Sequence, residues 1–343
     1  MNRVIVLLCL LIIIRCGIDN SRSFEFVYEV ELDSTNGKKI EVWVPIPQSN
    51  EVQIISDLII NTGGLEYTIE LENVHKNKYV YINDESGVNE LKRITIKFTV
   101  ERLEHENVDY SNVDPSNYLN SNTMVPVGGV FDKVIKDNQL SKNNVRGIYD
   151  YVFEGMHYGK PKSIDNKYYK DPWLSADGLY GNKQVGRDSV VNLYKKAKIN
   201  GGNYTFGNGN AIYACDIGVG NCTDYHSYFI SINRTLGIPA RFHMGFPIAN
   251  NKEGIIDGYH CWADYYIEGE GWYPVDISEA DKDPSKKEYY CGTVDNNRVE
   301  LVVGRDLTLK GYELGIVNLF IYPLLEVDDV QSTAFIKKFS YKN

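Results

Sequence analysis

A cysteine, a histidine and an aspartate that could together cleave an amide bond stand in one part of this sequence, as Cys222, His260 and Asp276. In such a set a thiolate attacks the carbonyl, an imidazole moves the proton, and a carboxylate holds the imidazole in one tautomer. Cys222 follows the flexible run GVGN and opens CTDYHSYFISINRTLG, in which Tyr225, Phe229, Ile232 and Leu236 recur at helical spacing. Gly237 is the expected C-terminal cap, and Pro239 stops the helix. Cys222 is therefore expected at a helix N-terminus, where unpaired N–H groups and the positive end of the helix dipole favour thiolate over thiol.

His260 and Asp276 lie in HCWADYYIEGEGWYPVD, which reads as two strands joined by a turn over residues 268–271. Alternation puts His260, Trp262 and Asp264 on one face and Cys261 and Ala263 on the other, while Trp272, Pro274 and Asp276 share a face of the return strand. Pairing around the turn sets Asp276 roughly opposite His260, with a bulge or offset absorbing the difference. His226, four residues beyond Cys222 on nearly the same helical face, is a second candidate base. No separate strand aims it, so it is expected to hydrogen-bond within the site wall. His243 and Cys261 are expected to be structural, Trp262 and Trp272 to fill the core, and Arg241 to pair with Asp224. Cys215 and Asp216 are expected to shape the cleft, and the Cys222 N–H to donate to an oxyanion. Paired short spacings such as C-x2-C are absent, so neither a zinc site nor a cofactor is expected.

The elements that must position these residues fall into two textures. The chain of 343 residues is 43% hydrophobic and 24% charged, enough for two domains with their own cores. A net charge of -10 with no basic cluster argues against a nucleic-acid partner. Residues 1–23 read as a leader. The apolar run 4–14 has the length of a signal-peptide core and is too short to span a bilayer comfortably, so the protein is expected to be exported to the periplasm, the cell surface or the medium. Cys16 just after the run is a candidate for lipid anchoring, although Arg15 is not the small residue such a signal prefers. Residues 24–105 alternate with period two between turn signals such as Asn36-Gly37 and Gly63-Gly64, as six or seven strands of a β-sandwich. Helical signals begin after it: Ser141 caps a helix carrying Val145, Ile148, Tyr149, Val152 and Phe153, and RDSVVNLYKKAK forms another. The aperiodic stretch between them is expected to be an ordered loop. Residues 106–330 form the second unit and 331–343 a tail. One optional disulfide is left open among Cys215, Cys261 and Cys291.

Taken together, AIYACD, GNCTDYHSYFISINRTLGIPARFHMGFPI and GYHCWADYYIEGEGWYPVDISEA resemble the transglutaminase-like superfamily in its branch of exported bacterial proteins. The likeness is strongest over residues 208–282 and continues weakly through RDLTLKGYELGIVNLFIYPLLEV, while VWVPIPQSNEVQ is similar to the sandwich preceding such cores. The resemblance implies an α+β protein: an Ig-like β-sandwich, then a papain-like core in which the helix carrying the cysteine packs on an antiparallel sheet. It also implies Cys222 as nucleophile, His260 as base and then acid, Asp276 as orienting carboxylate, and no catalytic metal. The expected activity is that of a cysteine hydrolase or acyltransferase on a peptide or isopeptide amide, through a thioester acyl-enzyme, with hydrolysis ahead of crosslinking. The alternative is a non-catalytic binding or scaffold protein at the cell envelope.

Overall fold

A computed structural model describes residues 21–159, 204 and 206–343. The leader up to residue 20 with Cys16, the helix expected in RDSVVNLYKKAK and nearly all of the loop before it lie outside the described residues. The strands are β1 (Ser21–Leu32), β2 (Ile40–Ile46), β3 (Gln53–Asn61), β4 (Thr68–Leu71), β5 (Lys78–Asp84), β6 (Lys92–Leu103), β7 (His157–Tyr158), β8 (Val219–Gly220), β9 (Ala240–Pro247), β10 (Glu253–Ile255), β11 (His260–Ile267), β12 (Gly271–Val275), β13 (Arg298–Val303), β14 (Leu324–Val327), β15 (Val330–Gln331) and β16 (Phe335–Lys342). The helices are α1 (Val130–Asp137), α2 (Val145–Gly155), α3 (Ala211–Ile217), α4 (Cys222–Thr235) and α5 (Ile277–Lys282).

Period-two alternation builds the N-terminal half. β1 buries Phe24, Phe26, Tyr28, Val30 and Leu32, and its partner β6 buries Ile94, Ile96, Phe98 and Val100, leaving the intervening polar residues outside. Two five-stranded sheets result, in the orders β10-β16-β1-β6-β3 and β15-β14-β2-β5-β4. β2 is buried at every position because the second unit covers its other side; the Trp43 indole donates to the Lys310 carbonyl at 2.8 Å.

The two ends of the sandwich correct the boundaries read from sequence. β1 begins at Ser21, so the last residues assigned to the leader are strand. Residues 335–342 are no tail: β16 pairs with β1 from Glu25↔Lys342 to Leu32↔Phe335 and buries Phe339 and Tyr341. Without it β1 would be an edge strand with a row of unpaired backbone groups. β14, placed by sequence in the second unit, likewise pairs with β2. The sandwich is thus completed by β10, β14 and β16, strands from residue 253 onward, a long-range pairing that no local pattern signals.

The second unit is built on the four-stranded antiparallel sheet β12-β11-β9-β13. Helix α4 packs on β11 and β9 and is buried on nearly every side, not on one face. Its polar residues are accommodated because they bond back one turn: Ser227 Oγ donates to the Thr223 carbonyl at 2.7 Å and Asn233 Nδ2 to that of Phe229 at 2.8 Å. Leu236 closes the helix and Gly237, at φ 78°, turns the chain out. Helix α2 starts three residues later than expected, capped by Asn144, whose side chain accepts from the Gly147 N–H at 2.9 Å. The units share one apolar core: Phe246 of β9 lies 5.4 Å from Phe26 and 4.3 Å from Phe339, between ring centroids.

One glycine in this sheet sets the position of a key side chain. Gly245 of β9 is paired with His260 on one side and faces a bulge in β13 on the other, where an added Cβ would lie 1.8 Å from the Val299 carbonyl oxygen. Gly245→Ala forces the two strands apart. It should cost about 2–3 kcal/mol, read as a lower urea midpoint at unchanged slope.

Candidate active site

The Cys222 thiol sits at the first position of α4 because Asn221 caps that helix. The Asn221 side chain accepts from the N–H groups of Thr223 and Asp224 at 2.9 and 3.3 Å, and the Asp224 carboxylate accepts in return from the Asn221 N–H at 3.1 Å. Asp224 also accepts from the Gly207 and Gly209 N–H groups, so it holds the loop before the helix and is not available to Arg241. The expected Arg241–Asp224 pair is therefore absent. Arg241 stands opposite Asp264 in the β9–β11 register, and its guanidinium grips that carboxylate at 3.0 and 3.2 Å from Nε.

His260, the first residue of β11, lies with Nε2 2.6 Å from Asp276 Oδ2. The way Asp276 reaches it differs from the expectation. Ala263 pairs with Val275, so a continued ladder would set Ser278 opposite His260. β12 instead ends at Val275, and Asp276 becomes the N-cap of α5, diagonal to His260 on the same face. Its second oxygen accepts from the Ser278 hydroxyl at 2.9 Å and the Glu279 N–H at 3.1 Å, leaving Oδ2 for the histidine. Arg298 of β13 donates to that same Oδ2 at 2.8 Å. Arg298 escaped the sequence reading, although charged Arg298 and Glu300 alternating with Val299 and Leu301 in one strand was the available signal.

The charges of the site follow from these contacts. Burial opposes the Asp276 charge, yet His260 and Arg298 together hold its carboxyl well below the usual range. Burial also disfavours an imidazolium at His260, but Asp276 and the Cys222 sulfur outweigh it and raise the histidine to about 10. A hydrogen bond from the Cys261 thiol, against the opposing effect of burial and with further help from His260, brings Cys222 well below an ordinary thiol. These contacts favour a thiolate at Cys222 and an imidazolium at His260, with the Asp276 carboxylate bracing the histidine. With Nε2 committed to Asp276, Nδ1 is the histidine nitrogen left for the sulfur.

Cys261 thus corrects a second expectation. Alternation does turn it away from Asp276, but the face it occupies is the one on which α4 lies, and its thiol meets Cys222 and accepts from Thr223 Oγ1 at 3.7 Å. All four described cysteines are free thiols, so the optional disulfide is not formed. His226 is a wall residue: Nδ1 donates to the Cys222 carbonyl at 2.7 Å and Nε2 accepts from the Ile277 N–H at 3.1 Å. Both nitrogens are occupied by the neutral ring, and burial lowers its basicity. His243 is buried and bonds Glu300 at 2.7 Å through Nδ1. Trp262 and Trp272 are fully buried, Trp262 stacked between the rings of His243 and His260 at 5.6 and 6.3 Å. Cys215 is buried in α3, and Asp216 accepts from the Tyr204 hydroxyl at 2.7 Å. A cleft of about 440 Å³ opens beside His260, walled by Ile248, Ile256, Asp257, Glu279, Arg298 and Tyr341.

Residues 175–277 match the transglutaminase-like superfamily. An uncharacterized protein of Haemophilus influenzae is 28% identical in a 240-residue alignment that covers 54% of this chain and 64% of the relative, so less than two thirds of that protein's length is matched. Among solved structures, a candidate cysteine protease from Cytophaga hutchinsonii superposes with a TM-score of 0.51 at 15% identity, over 94% of this chain and 98% of its own. At that identity the likeness concerns the fold, which it matches from sandwich to core. The periplasmic domain of TgpA from Pseudomonas aeruginosa is 14% identical, with a TM-score of 0.31 over 79% of this chain and 99% of that one, too loose a superposition to bear on the fold.

Proposed function

We propose that this chain, which carries a transglutaminase-like domain over residues 175–277, is a cysteine hydrolase or acyltransferase acting on a peptide or isopeptide amide. The observation that supports this reading most is the 2.6 Å contact of His260 with Asp276 beside a thiol of lowered pKa at a helix start. The Cys222 thiolate attacks the carbonyl carbon, and the oxyanion is met by the Cys222 N–H, which at the first helical position has no intrahelical acceptor. The C–N bond breaks, and the amine leaves with the proton from His260. Water, activated by the now neutral His260, then attacks the thioester, releasing the acid and restoring thiolate and imidazolium. A primary amine in place of water would give crosslinking. Hydrolysis is the preferred outcome because the cleft beside His260 is open to solvent. The apolar run at residues 4–14 supports export, with Cys16 as a lipid attachment point.

The test is turnover of fluorogenic glutamine- and lysine-isopeptide substrates by the mature protein, with and without a primary amine. Acid product that forms without amine and is lost in Cys222→Ala supports hydrolysis. Amine adducts as the main product would make it a transglutaminase, and no turnover by a folded wild type would leave a scaffold. The rate should hold a plateau across neutral pH. It falls on the acid side, below the usual thiol range, where Cys222 takes up a proton, and on the alkaline side near 10, where His260 loses the proton the leaving amine needs.

A further inference from the structure

The sandwich sheet built on β2 and β14 holds a carboxylate cluster that the proposed chemistry does not use. Glu41 of β2 and Glu326 of β14 stand directly opposite one another in the antiparallel register, and Asp329, in the turn between β14 and β15, closes the third side. One oxygen from each lies within 4.8 Å of the others. Glu41 and Glu326 are only 5% and 1% exposed, whereas Asp329 faces solvent.

The three carboxylates are not equally satisfied. Glu41 accepts from the Tyr81 hydroxyl at 2.5 Å, and the Lys39 ammonium sits 3.1 Å from Glu41 and 2.9 Å from Asp329. Among the described residues, neither oxygen of Glu326 has a hydrogen-bond partner. A buried carboxylate without a donor, facing a second carboxylate, is a costly arrangement that a cation or a proton must relieve. Lys39 shows that the cluster draws positive charge, but its single ammonium reaches two of the three groups and leaves the most buried one unserved.

We propose that Glu41, Glu326 and Asp329 form a binding site for a calcium-sized divalent cation. An all-oxygen set suits a hard cation, and the solvent-facing side at Asp329 leaves room for the waters that complete its coordination. The ion takes the place of the Lys39 ammonium, which swings to solvent, and engages Glu326 as well. Lys39 is then a built-in competitor for the site.

Terbium luminescence tests this in the mature protein, because Tyr81 bonds a ligand and Trp43 lies 5.6 Å from Tyr81 between ring centroids, so both can sensitise a bound lanthanide. Excitation of the aromatic rings should give saturable Tb³⁺ emission that Ca²⁺ displaces. Glu326→Gln should weaken Ca²⁺ by roughly tenfold or more. Lys39→Met should tighten it, by roughly three- to fivefold, as the loss of one competing surface ion pair predicts. Thermal unfolding of each variant without metal confirms that it folds. Absence of Ca²⁺-displaceable emission in both wild type and Lys39→Met overturns the site. Equal Ca²⁺ midpoints in all three proteins overturn it too, since the binding would then lie elsewhere.

Discussion

Alkylation of Cys222 by iodoacetamide at pH 6 should fall by roughly 10²- to 10³-fold in His260→Ala, because an unpaired thiol with a pKa near 8.5 is almost wholly protonated there. In the wild type the lowered thiol pKa favours the thiolate at that pH. Two groups hold it, the His260 imidazolium and the Cys261 thiol, and they make separable contributions. His260→Ala removes the cation that hydrogen-bonds the sulfur, whereas Cys261→Ala removes a neutral donor and should move the labelling profile toward higher pH by a smaller amount. Peptide mass spectrometry that resolves Cys222 from Cys215, Cys261 and Cys291 reads both. Equal labelling rates at pH 6 in wild type and His260→Ala would sink the thiolate–imidazolium pair and with it the proposed chemistry.

Asp264→Ala should cost about 3–5 kcal/mol of stability, the largest loss expected from any one substitution described for this fold. Asp264 is fully buried between Arg241 and His243, with His243 Nε2 at 3.1 Å. Arg241 cannot retreat to water, because its guanidinium is stacked 4.4 Å from the Tyr110 ring and 4.1 Å from that of Trp272. Removing the carboxylate strands a buried cation. Burial works against the Asp264 charge, but Arg241 and His243 depress its pKa below the usual carboxylate range. Its contribution is therefore present above the pKa of an unfolded aspartate and is lost as pH falls through the depressed folded value. Urea unfolding at pH 7 should show the full deficit of the variant, and at low pH the gap from wild type should narrow. The double change Asp264→Leu with Arg241→Met should recover much of the loss, since neither charge is then left alone.

The residues brought together at the site were legible in sequence to the extent that local periodicity governs them. Helical spacing put Cys222 at a helix start, and strand alternation put His260 and Trp262 on one face. Asp276 was found, but not how it gets there, because the chain leaves the ladder one residue before the aspartate and a helix cap replaces a cross-strand pair. Cys261 shows the limit of alternation, which tells which way a side chain turns and nothing about what lies on that side. Arg298 and the pairing of β16 with β1 depend on partners distant in sequence, and the charged alternation in β13 and the apolar alternation in β16 acquire meaning only once those partners are known. The Arg241–Asp224 pairing failed for a related reason: Asp224 is spent on the first turn of α4 and the loop before it, and the sheet register gave Arg241 the Asp264 carboxylate.

The return of the chain's end to the sandwich has a consequence in time. β16 is held between β1 and β10, and its Tyr341 forms part of the wall of the cleft beside His260. Cys222, His260 and Asp276 all leave the ribosome before Tyr341 does. A nascent chain can hold all three side chains and still lack part of this cleft wall, which is completed only when β16 docks against β1.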